Sequence, residues 1–469
     1  MTPAEIPVEL SAATADLEAF RPDMEGCSRC SCCKWVPLNQ VRSQRFSQVC
    51  PSISYHDFHA YSGSGKLNVS LSILDGRTDL DEAAAEIFYS CTMCGACEVS
   101  CKVYRNDIDL MSVLNEARAR AVETGHARLA HLVMVEQMEA ENNVFGEPQA
   151  DRADWEEATR HLPLVDANTE QVDVLFHVGC RYAYDRSQWG DLRDALEVLV
   201  ATGMRIGTSR AAESCCGFRA YETGFKNELT KFADDMANRV RTSGAKMVAV
   251  ACADCFGAFN HLYTKAGTPL GVPVRHVVEI AAGLVADGRL RPVARPSQPV
   301  LSQPVRRITY HDPCNLGRRG QEFNGWWDPG TDGNKLDRPD DVRRRGDGGR
   351  YDEPRAVLDA LPGIELVEME RIREFSWCCG AGGGCLEAAP ELSEASARER
   401  LEEAFATGAD ALATSCPWCV HNFRSALDGM HAEGDTRSIE IVTLPALVAE
   451  SIAGGKTEIM GETLPEVTL

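Results

Sequence analysis

The sequence predicts a mainly helical N-terminal part followed by two repeated α/β domains. Up to about residue 165, apolar side chains recur at helical spacing and strand signals are scarce. From Val172 onward, short apolar runs alternate with helical segments, which is the pattern of parallel α/β sheets. The cysteines of this second part recur in the same order. We therefore expect domains at residues 1–165, 166–298 and 299–469.

Helical periodicity is clear in five segments, three of them in the N-terminal part. Between Asp107 and Thr124, apolar side chains fall at intervals of three and four residues, so that they share one helix face. The other helices expected from their pattern are Asp79–Phe88, Arg128–Glu141, Asp191–Ala201 and Glu222–Arg241.

Strand candidates in the C-terminal part each lead towards a cysteine. The first of them, Val172–Val178, ends just before Cys180. Open α/β sheets place their ligands just beyond the carboxyl ends of the strands, so we expect the cysteines to lie there. The other expected strands are Lys246–Ala251, Ile308–Tyr310, Ile364–Met369 and Ala411–Thr414.

The cysteine spacing indicates that the second α/β domain is a duplicate of the first. Cys180 and Cys314 are 134 residues apart, whereas the Cys-Cys pairs that end at Cys216 and Cys379 are 163 residues apart. An insertion of 29 residues in the second domain accounts for the difference. We place this insertion near residues 325–350, a stretch rich in Gly, Asp and Arg that we expect to form a surface loop or to be partly disordered.

Charge and hydropathy exclude several classes of function. The 469 residues include 48 basic and 70 acidic side chains, and the net charge of −22 would repel nucleic acid. Residues 1–20 are polar and acidic, unlike a signal peptide, and the longest apolar runs are too short to cross a bilayer. We expect a cytoplasmic protein, either free in solution or attached peripherally at the cytoplasmic face of a membrane complex.

Eighteen of the 20 cysteines fall into four groups, of which two lie in the N-terminal part. The second group has the spacing C-x2-C-x2-C-x3-C, which is typical of bacterial ferredoxins and their cubane [4Fe–4S] clusters. The first group keeps the triplet, but its fourth cysteine is displaced and precedes Pro51. The predicted ligands are Cys27, Cys30, Cys33 and Cys50 in the first group, and Cys91, Cys94, Cys97 and Cys101 in the second.

Two questions stay open for these N-terminal groups. In two-cluster ferredoxins the fourth cysteine of one motif binds the other cluster. That pattern would place Cys101 with the first triplet and Cys50 with the second, but the sequence does not decide the pairing. Structural zinc is the alternative metal, although zinc sites usually pair two C-x-x-C units or include histidines. Cys32 fits the spacing less well than Cys33, and we expect it to be a spare thiol.

Each α/β domain carries five cysteines, arranged as a single Cys, a Cys-Cys-Gly and a Cys-x-x-Cys. Neighbouring side chains of a regular strand point to opposite faces, so a Cys-Cys pair needs a turn, for which the glycine supplies freedom. Five thiolates exceed the needs of a cubane cluster or of zinc and indicate a larger or opened metal centre. The predicted ligands are Cys180, Cys215, Cys216, Cys252 and Cys255, and Cys314, Cys378, Cys379, Cys416 and Cys419.

This long cysteine pattern resembles the cysteine-rich CCG domains of heterodisulfide reductase. With the N-terminal groups, the resemblance covers residues 27 to about 425, and the order of modules is similar to that of the catalytic subunit of the membrane-associated enzyme. It implies two cubane [4Fe–4S] clusters in a ferredoxin-like N-terminal domain and one noncubane [4Fe–4S] cluster on each five-cysteine group. It also implies that electrons pass inward to the noncubane clusters, between which a disulfide is reduced.

Two functions agree with this resemblance, because a shared fold does not settle the substrate. The first is a heterodisulfide reductase-like oxidoreductase subunit with a disulfide or thiol substrate. The alternative is an electron-relay subunit of a multi-subunit dehydrogenase of the glycolate, lactate, glycerol-3-phosphate or acyl-CoA type. No G-x-G-x-x-G motif opens a βαβ unit, so we expect no bound FAD or NAD. Electrons would come from a redox partner subunit, which could be a flavoprotein, a hydrogenase or a membrane cytochrome.

The sequence singles out no catalytic side chain. Cys385, outside the four groups, is expected to be a spare thiol. His177 and His311 each lie three residues before the first cysteine of their repeat. For both we expect a structural role rather than hydrogen bonding to a cluster or proton donation.

Overall fold

Helices form most of the N-terminal part, as its periodicity predicts. The computed structural model describes residues 16–103, 108–290, 305–321 and 344–453. The three helices predicted in this part are the fourth, sixth and seventh α-helices along the chain, and each begins and ends within three residues of its expected bounds. The α-helices of this part are α1 (Arg21–Glu25), α2 (Pro51–His56), α3 (Gly63–Leu74), α4 (Glu82–Tyr89), α5 (Ala96–Val103), α6 (Leu110–Glu123), α7 (Leu129–Glu141) and α8 (Glu156–Thr159).

Side-chain caps and a shared core explain where two of these helices begin. Asp81 accepts a hydrogen bond from the backbone N–H of Ala84 (2.9 Å) at the start of α4. Asp109 accepts one from the backbone N–H of Ser112 (3.1 Å) at the start of α6. The apolar faces of α3, α4 and α6 then pack together through Leu67, Leu71, Ala84, Phe88, Leu110, Val113, Leu114 and Ala117.

The first α/β domain is built on a parallel sheet with strand order β1-β3-β2-β4-β5. Its strands are β1 (Val165–Asp166), β2 (Val174–His177), β3 (Ile206–Thr208), β4 (Met247–Val250) and β5 (Val274–His276). Its α-helices are α9 (Cys180–Tyr184), α10 (Trp189–Val200), α11 (Phe218–Glu222), α12 (Lys226–Ser243), α13 (Ala253–Gly257), α14 (Tyr263–Lys265) and α15 (Val277–Ala286), and a π-helical turn spans Ala258–Leu262.

The second α/β domain repeats this arrangement with the parallel strand order β7-β6-β8-β9. Its strands are β6 (Arg306–His311), β7 (Ile364–Leu366), β8 (Ala411–Thr414) and β9 (Glu440–Thr443). Its α-helices are α16 (Asp352–Ala360), α17 (Cys385–Ala388), α18 (Pro390–Ala406), α19 (Pro417–Ala432) and α20 (Leu444–Ala453). The order matches β3-β2-β4-β5, which confirms two repeated α/β domains.

The predicted elements of the C-terminal part differ from the structure in a few places. The helix expected at 222–241 begins later, at Lys226, because Glu222 ends α11 and Gly224 turns the chain with a φ of +99°. The sequence pattern does not predict β1, β3, β5 and β9, each of which contains at most two apolar residues. Most of the predicted insertion at 325–350 lies outside the described residues, and the domain boundaries stay predictions.

The two sheets share one hydrophobic core, which fixes the repeats against each other. Val174 and Phe176 of β2 belong to the same buried cluster as Ile308 and Tyr310 of β6. Helices α10, α15, α16 and α20 pack against one another around this cluster. Full burial of each such side chain contributes about 1.5–3 kcal/mol. In the part of the chain that the structure describes, no helix has both the length and the apolar character needed to span a membrane.

Candidate metal centres

The loop between α1 and α2 brings the first triplet of cysteines to one pocket. Arg29 and Ser31 have φ angles of +56° and +66°, and these turns direct the loop's cysteines towards a common space. Burial raises the pKa of Cys101, on α5, to about 12, with neighbouring thiols of this triplet adding to the shift. The predicted ligands that line the pocket include Cys27, Cys30, Cys33 and Cys101.

Cys50 lies beside the second triplet rather than the first. Burial raises the pKa of Cys50 to about 12, and the nearby thiols of Cys91 and Cys94 act in the same direction. Cys97, in the first turn of α5, is in turn a neighbour of these three cysteines. The structure therefore places the fourth cysteines in the crossed order, with Cys50 beside the second triplet and Cys101 beside the first.

Helix α3 begins in the narrow space between these two N-terminal groups. A Cβ atom on Gly63 would lie 3.1 Å from Cys97 Cβ and 3.4 Å from Cys33 Cβ. The backbone N–H of Ser64 donates to Cys33 Sγ at 3.3 Å, and the Cys27 thiol donates to Ser64 Oγ at 3.3 Å. Hydrogen bonds to sulfur ligands tune iron–sulfur clusters, so the first turn of α3 is suited to hold and adjust this site.

Replacing Gly63 by Ala should destabilise the N-terminal part by about 1–3 kcal/mol, because the new methyl group would overpack this space. The Cβ atom would approach Leu110 Cδ1 to 2.8 Å. Urea denaturation followed by helical circular dichroism measures the effect. Gly190→Ala on α10, where no atom lies within 4 Å of the added Cβ, is the matched control and should be neutral or stabilising. Equal midpoints for the two variants would contradict the prediction.

All five cysteines of the first α/β domain line one pocket. Cys180 begins α9 just after β2, and Cys252 follows β4. The Cys215–Cys216 pair follows β3, and Gly217, with a φ of +75°, turns the chain. The Gly217 N–H donates to Cys215 Sγ at 3.4 Å. The expected position of these cysteines beyond the carboxyl ends of the strands is confirmed.

The second repeat gathers its five cysteines in the same way. The sulfur of Cys378 interacts with those of Cys314 and Cys379. Cys379 Sγ lies 3.2 Å from Cys419 Sγ, which also interacts with Cys416. The glycine after the Cys-Cys pair again has a positive φ, and its N–H donates to Cys378 Sγ at 3.3 Å.

Neighbouring cysteines join sites of different domains. Cys94 of the N-terminal part lies in the same small buried cluster as Cys378 of the second repeat. Cys252 of the first repeat lies in the same buried cluster as Cys416 of the second. The four groups therefore form a series in space: first N-terminal group, second N-terminal group, second repeat, first repeat. No sequence spacing predicts this order, because it depends on how the domains pack.

Buried arginines lie against the cysteines, and sequence reasoning missed them. Arg152 is 1% exposed, and its Nη1 lies 3.8 Å from Cys180 Sγ. Arg318 donates from Nε to the carbonyl oxygen of Cys94 (2.6 Å) and from Nη1 to that of Ser376 (2.6 Å). A guanidinium in this position favours the negatively charged thiolate over the neutral thiol. Isolated arginines form no motif, so the sequence carries no signal for them.

The donor sets fit iron–sulfur clusters better than zinc. All 20 cysteines are described, and none forms a disulfide. Five thiols converge in each repeat, more than a four-coordinate zinc site uses. Backbone N–H groups and guanidinium groups, rather than carboxylates, point at several of the sulfurs. This arrangement suits the negative charge of a thiolate-bound cluster, and the individual ligands stay predictions.

The two cysteines outside the four groups have different surroundings. Cys385 is fully buried, donates to the carbonyl oxygen of Tyr89 (3.6 Å), and burial raises its pKa to about 12. It therefore has the contacts of a neutral thiol. Cys32 lines the same pocket as the first N-terminal group, with Sγ 3.9 Å from the carbonyl oxygen of Cys30.

Comparison with known proteins agrees with this geometry. The 4Fe–4S dicluster domain model matches residues 23–104, and the cysteine-rich CCG domain model matches residues 174–260 and 342–424. The chain is 28% identical over 425 residues to one of the subunits of the dihydromethanophenazine:CoB–CoM heterodisulfide reductase of Methanosarcina mazei, covering 88% of this chain and 91% of the relative. The chain is a heterodisulfide reductase-like iron–sulfur protein.

This heterodisulfide reductase-like protein is also similar to larger oxidoreductases. The probable iron–sulfur-binding oxidoreductase FadF of Bacillus subtilis is 25% identical over 91% of this chain, which covers 54% of FadF. The EtfAB:quinone oxidoreductase of Syntrophomonas wolfei is 26% identical over 77% of this chain and 46% of the relative. The heterodisulfide reductase-like protein is thus an iron–sulfur electron-transfer subunit.

Proposed function

We propose that this protein carries electrons through two cubane [4Fe–4S] clusters to two noncubane clusters, and that it reduces a disulfide as a subunit of an oxidoreductase complex. The observation that supports this proposal is the series of four cysteine groups, in which cysteines of different domains are buried side by side. A protein whose clusters had only separate structural roles would not need its cysteine groups to be adjacent.

Electrons would enter at the first N-terminal group. Cys30 is exposed, whereas the predicted ligands of the other three groups are buried or half-buried. A redox partner subunit, whether a flavoprotein, a hydrogenase or a membrane cytochrome, could dock at this surface. From there the electron path continues past Gly63. Because glycine has no side chain, the space between the two N-terminal groups stays narrow.

The path would then cross two domain boundaries through sulfur ligands. Cys94 and Cys378 connect the N-terminal part with the second repeat, and Cys416 and Cys252 connect the second repeat with the first. Iron–sulfur clusters bound at the four groups would supply one-electron transfer. The protein itself excludes water from the inner groups and balances their charge with Arg152 and Arg318.

The substrate would bind where the two repeats meet. The pocket of the first repeat is lined by Arg181 and Arg219 together with Trp418 from the second repeat. The guanidinium carbons of these arginines lie 4.2 Å and 3.9 Å from the Trp418 ring centroid. A disulfide placed here would have one five-cysteine group on each side. The similarity to a heterodisulfide reductase subunit favours a disulfide as the substrate.

The alternative is an electron relay without disulfide chemistry. The similarity to EtfAB:quinone oxidoreductase and to FadF favours this alternative. In that function, an electron-transfer flavoprotein would be the partner, and the space between the repeats would hold no reacting substrate. Both functions use the same series of cysteine groups.

Anaerobic stopped-flow spectroscopy of the dithionite-reduced protein distinguishes the two functions. Disulfide reduction predicts that the CoM–CoB heterodisulfide, or a simple disulfide such as cystine, reoxidises the protein and releases two thiols for every two electrons. A Cys255→Ser variant should lose this thiol release. Fast electron exchange with a flavoprotein, without thiol release from any disulfide tried, would support the relay and overturn the disulfide proposal.

A further inference from the structure

His177 and His311 occupy matching positions in the two repeats, at the ends of β2 and β6. They are 3% and 1% exposed, respectively. The sequence predicts a structural role for both. Their hydrogen-bond partners differ, however, and the difference bears on the chemistry of the neighbouring sulfurs.

His311 is held by a buried arginine. Its Nδ1 accepts a hydrogen bond from Arg400 Nε at 3.2 Å. The other Arg400 nitrogens donate to Glu403, to the carbonyl oxygen of Arg371 and to Ser376, which fixes the direction of the guanidinium. A guanidinium can only donate, so Nδ1 of His311 carries no proton. We therefore assign His311, from its hydrogen bond with Arg400, as a neutral imidazole with the proton on Nε2.

The sulfurs of the second repeat lie close to this imidazole. A ring nitrogen of His311 and the sulfurs of Cys379 and Cys419 are within 4.8 Å of one another. Because the Nδ1 lone pair is directed at Arg400, the nitrogen left to face the sulfurs is Nε2. A protonated Nε2 can donate a hydrogen bond to a thiolate but has no lone pair with which to bind a metal.

His177 has the opposite environment. Its Nδ1 lies 3.5 Å from a carboxylate oxygen of Glu213, which also accepts from the backbone N–H groups of Val178 and Gly179. A carboxylate at Nδ1 favours the proton on that nitrogen and leaves a lone pair on Nε2. A Cβ on Gly179 would lie 3.9 Å from His177 Nε2 and 3.1 Å from Cys255 Sγ, so the two atoms face a common space.

The reversal comes from two differences between the repeats. By the 163-residue offset, the counterpart of Arg400 is Ala237. By the same offset, the counterpart of Glu213 is Ser376, whose hydroxyl accepts from Arg400 instead of holding a histidine.

A buried arginine also lies near the first cysteine of each repeat: Arg152, from the N-terminal part, is near Cys180, and Arg318 is near Cys314. Both sites thus have a buried guanidinium nearby, and of the two corresponding histidines only His311 is held with its donor side available to the sulfurs.

We propose that His311, held in this tautomer by Arg400, donates a hydrogen bond to the sulfur ligands of the second repeat and gives its centre a higher reduction potential than the centre of the first repeat. This inference rests on the proposed function, because it requires redox centres at both sites. Reduction adds negative charge, and a hydrogen bond to the ligand sulfur stabilises that charge. The second repeat would then be reduced before the first.

The test is an EPR-monitored redox titration of His311→Phe, with His177→Phe as the matched variant of the other repeat. In His311→Phe, the ratio of reduced to oxidised second-repeat centre at a fixed potential should fall about tenfold, which is about 59 mV for a one-electron couple. His311→Gln keeps both an acceptor for Arg400 and an N–H donor, and should recover much of the shift. His177→Phe should not lower the potential of either centre.

Three results would decide against this role of His311. An unchanged potential in His311→Phe with full iron content would overturn it, and so would the loss of about four irons, which would make His311 a ligand. ENDOR spectroscopy of the wild type gives a check that needs no variant, since the absence of an exchangeable proton at the higher-potential centre would also overturn it. Wild-type protein without iron would instead overturn the proposed function.

Discussion

Replacing Cys378 by Ser should remove about four of about 16 irons and interrupt electron flow to both repeats. Cys378 interacts with Cys314 and Cys379 of its own group and with Cys94 of the preceding group. Its loss therefore affects both a binding site and the contact between two sites. Loss of supporting partners around a metal site costs about 10–100-fold in activity, so we expect loss of a ligand to slow disulfide- or acceptor-dependent reoxidation by at least about 100-fold.

Cys385→Ser is the matched control for this prediction. Cys385 lies seven residues later, is equally buried, and donates to the carbonyl oxygen of Tyr89, a bond that a serine hydroxyl can also make. This control should keep full iron and near-normal rates. Iron analysis and stopped-flow reoxidation measure both variants. Full iron and normal rates in Cys378→Ser would show that the predicted ligand set of the second repeat is wrong.

Replacing Arg118 by Met should lower the free energy of unfolding by about 3–5 kcal/mol, since hydrogen bonds to charged groups contribute about 1.5–3 kcal/mol each and are not additive. Arg118 is completely buried, and its guanidinium donates only to backbone carbonyl oxygens. These oxygens belong to all three domains, and the acceptors are Phe88 and Cys91 of the N-terminal part, Glu222 of the first repeat and Gly383 of the second.

The Arg118 variant should also loosen the docking of the N-terminal part on the repeats. Limited proteolysis should then cleave between the domains sooner than in the wild type, and the urea midpoint should fall. Arg120→Met is the control, because Arg120 lies on the same helix but is exposed. It should change stability by less than about 0.5 kcal/mol. Equal midpoints for the two variants would mean that Arg118 does not hold the domains together.

The sequence predicts the repeated part of the fold well wherever a segment carries a clear hydrophobic pattern. The structure has strands and helices at all of the predicted positions, because amphipathic helices leave a period in the sequence and buried strands leave an apolar run. Strands such as Ile206–Thr208, with a single apolar side chain, give no such signal. The helix expected to begin at Glu222 begins later because Gly224 interrupts it, an effect of local backbone conformation rather than of hydrophobic pattern.

The candidate sites likewise have parts that the sequence predicts and parts that it does not. Cysteine spacing is local, so each group can be assembled from the sequence alone. The contact of Cys94 with Cys378 and the positions of Arg118 and Arg318 depend on the packing of distant segments and leave no spacing to detect. The tautomer of His311 also depends on its partner, because the identical histidine of the first repeat faces Glu213 instead.

Metal and sulfide analysis of anaerobically isolated protein tests the central claim most directly. Four [4Fe–4S] clusters predict about 16 iron atoms and about 16 acid-labile sulfides per chain, a brown colour and no stoichiometric zinc. Colourless protein that contains zinc or no metal, with its cysteines free or paired, would contradict the account.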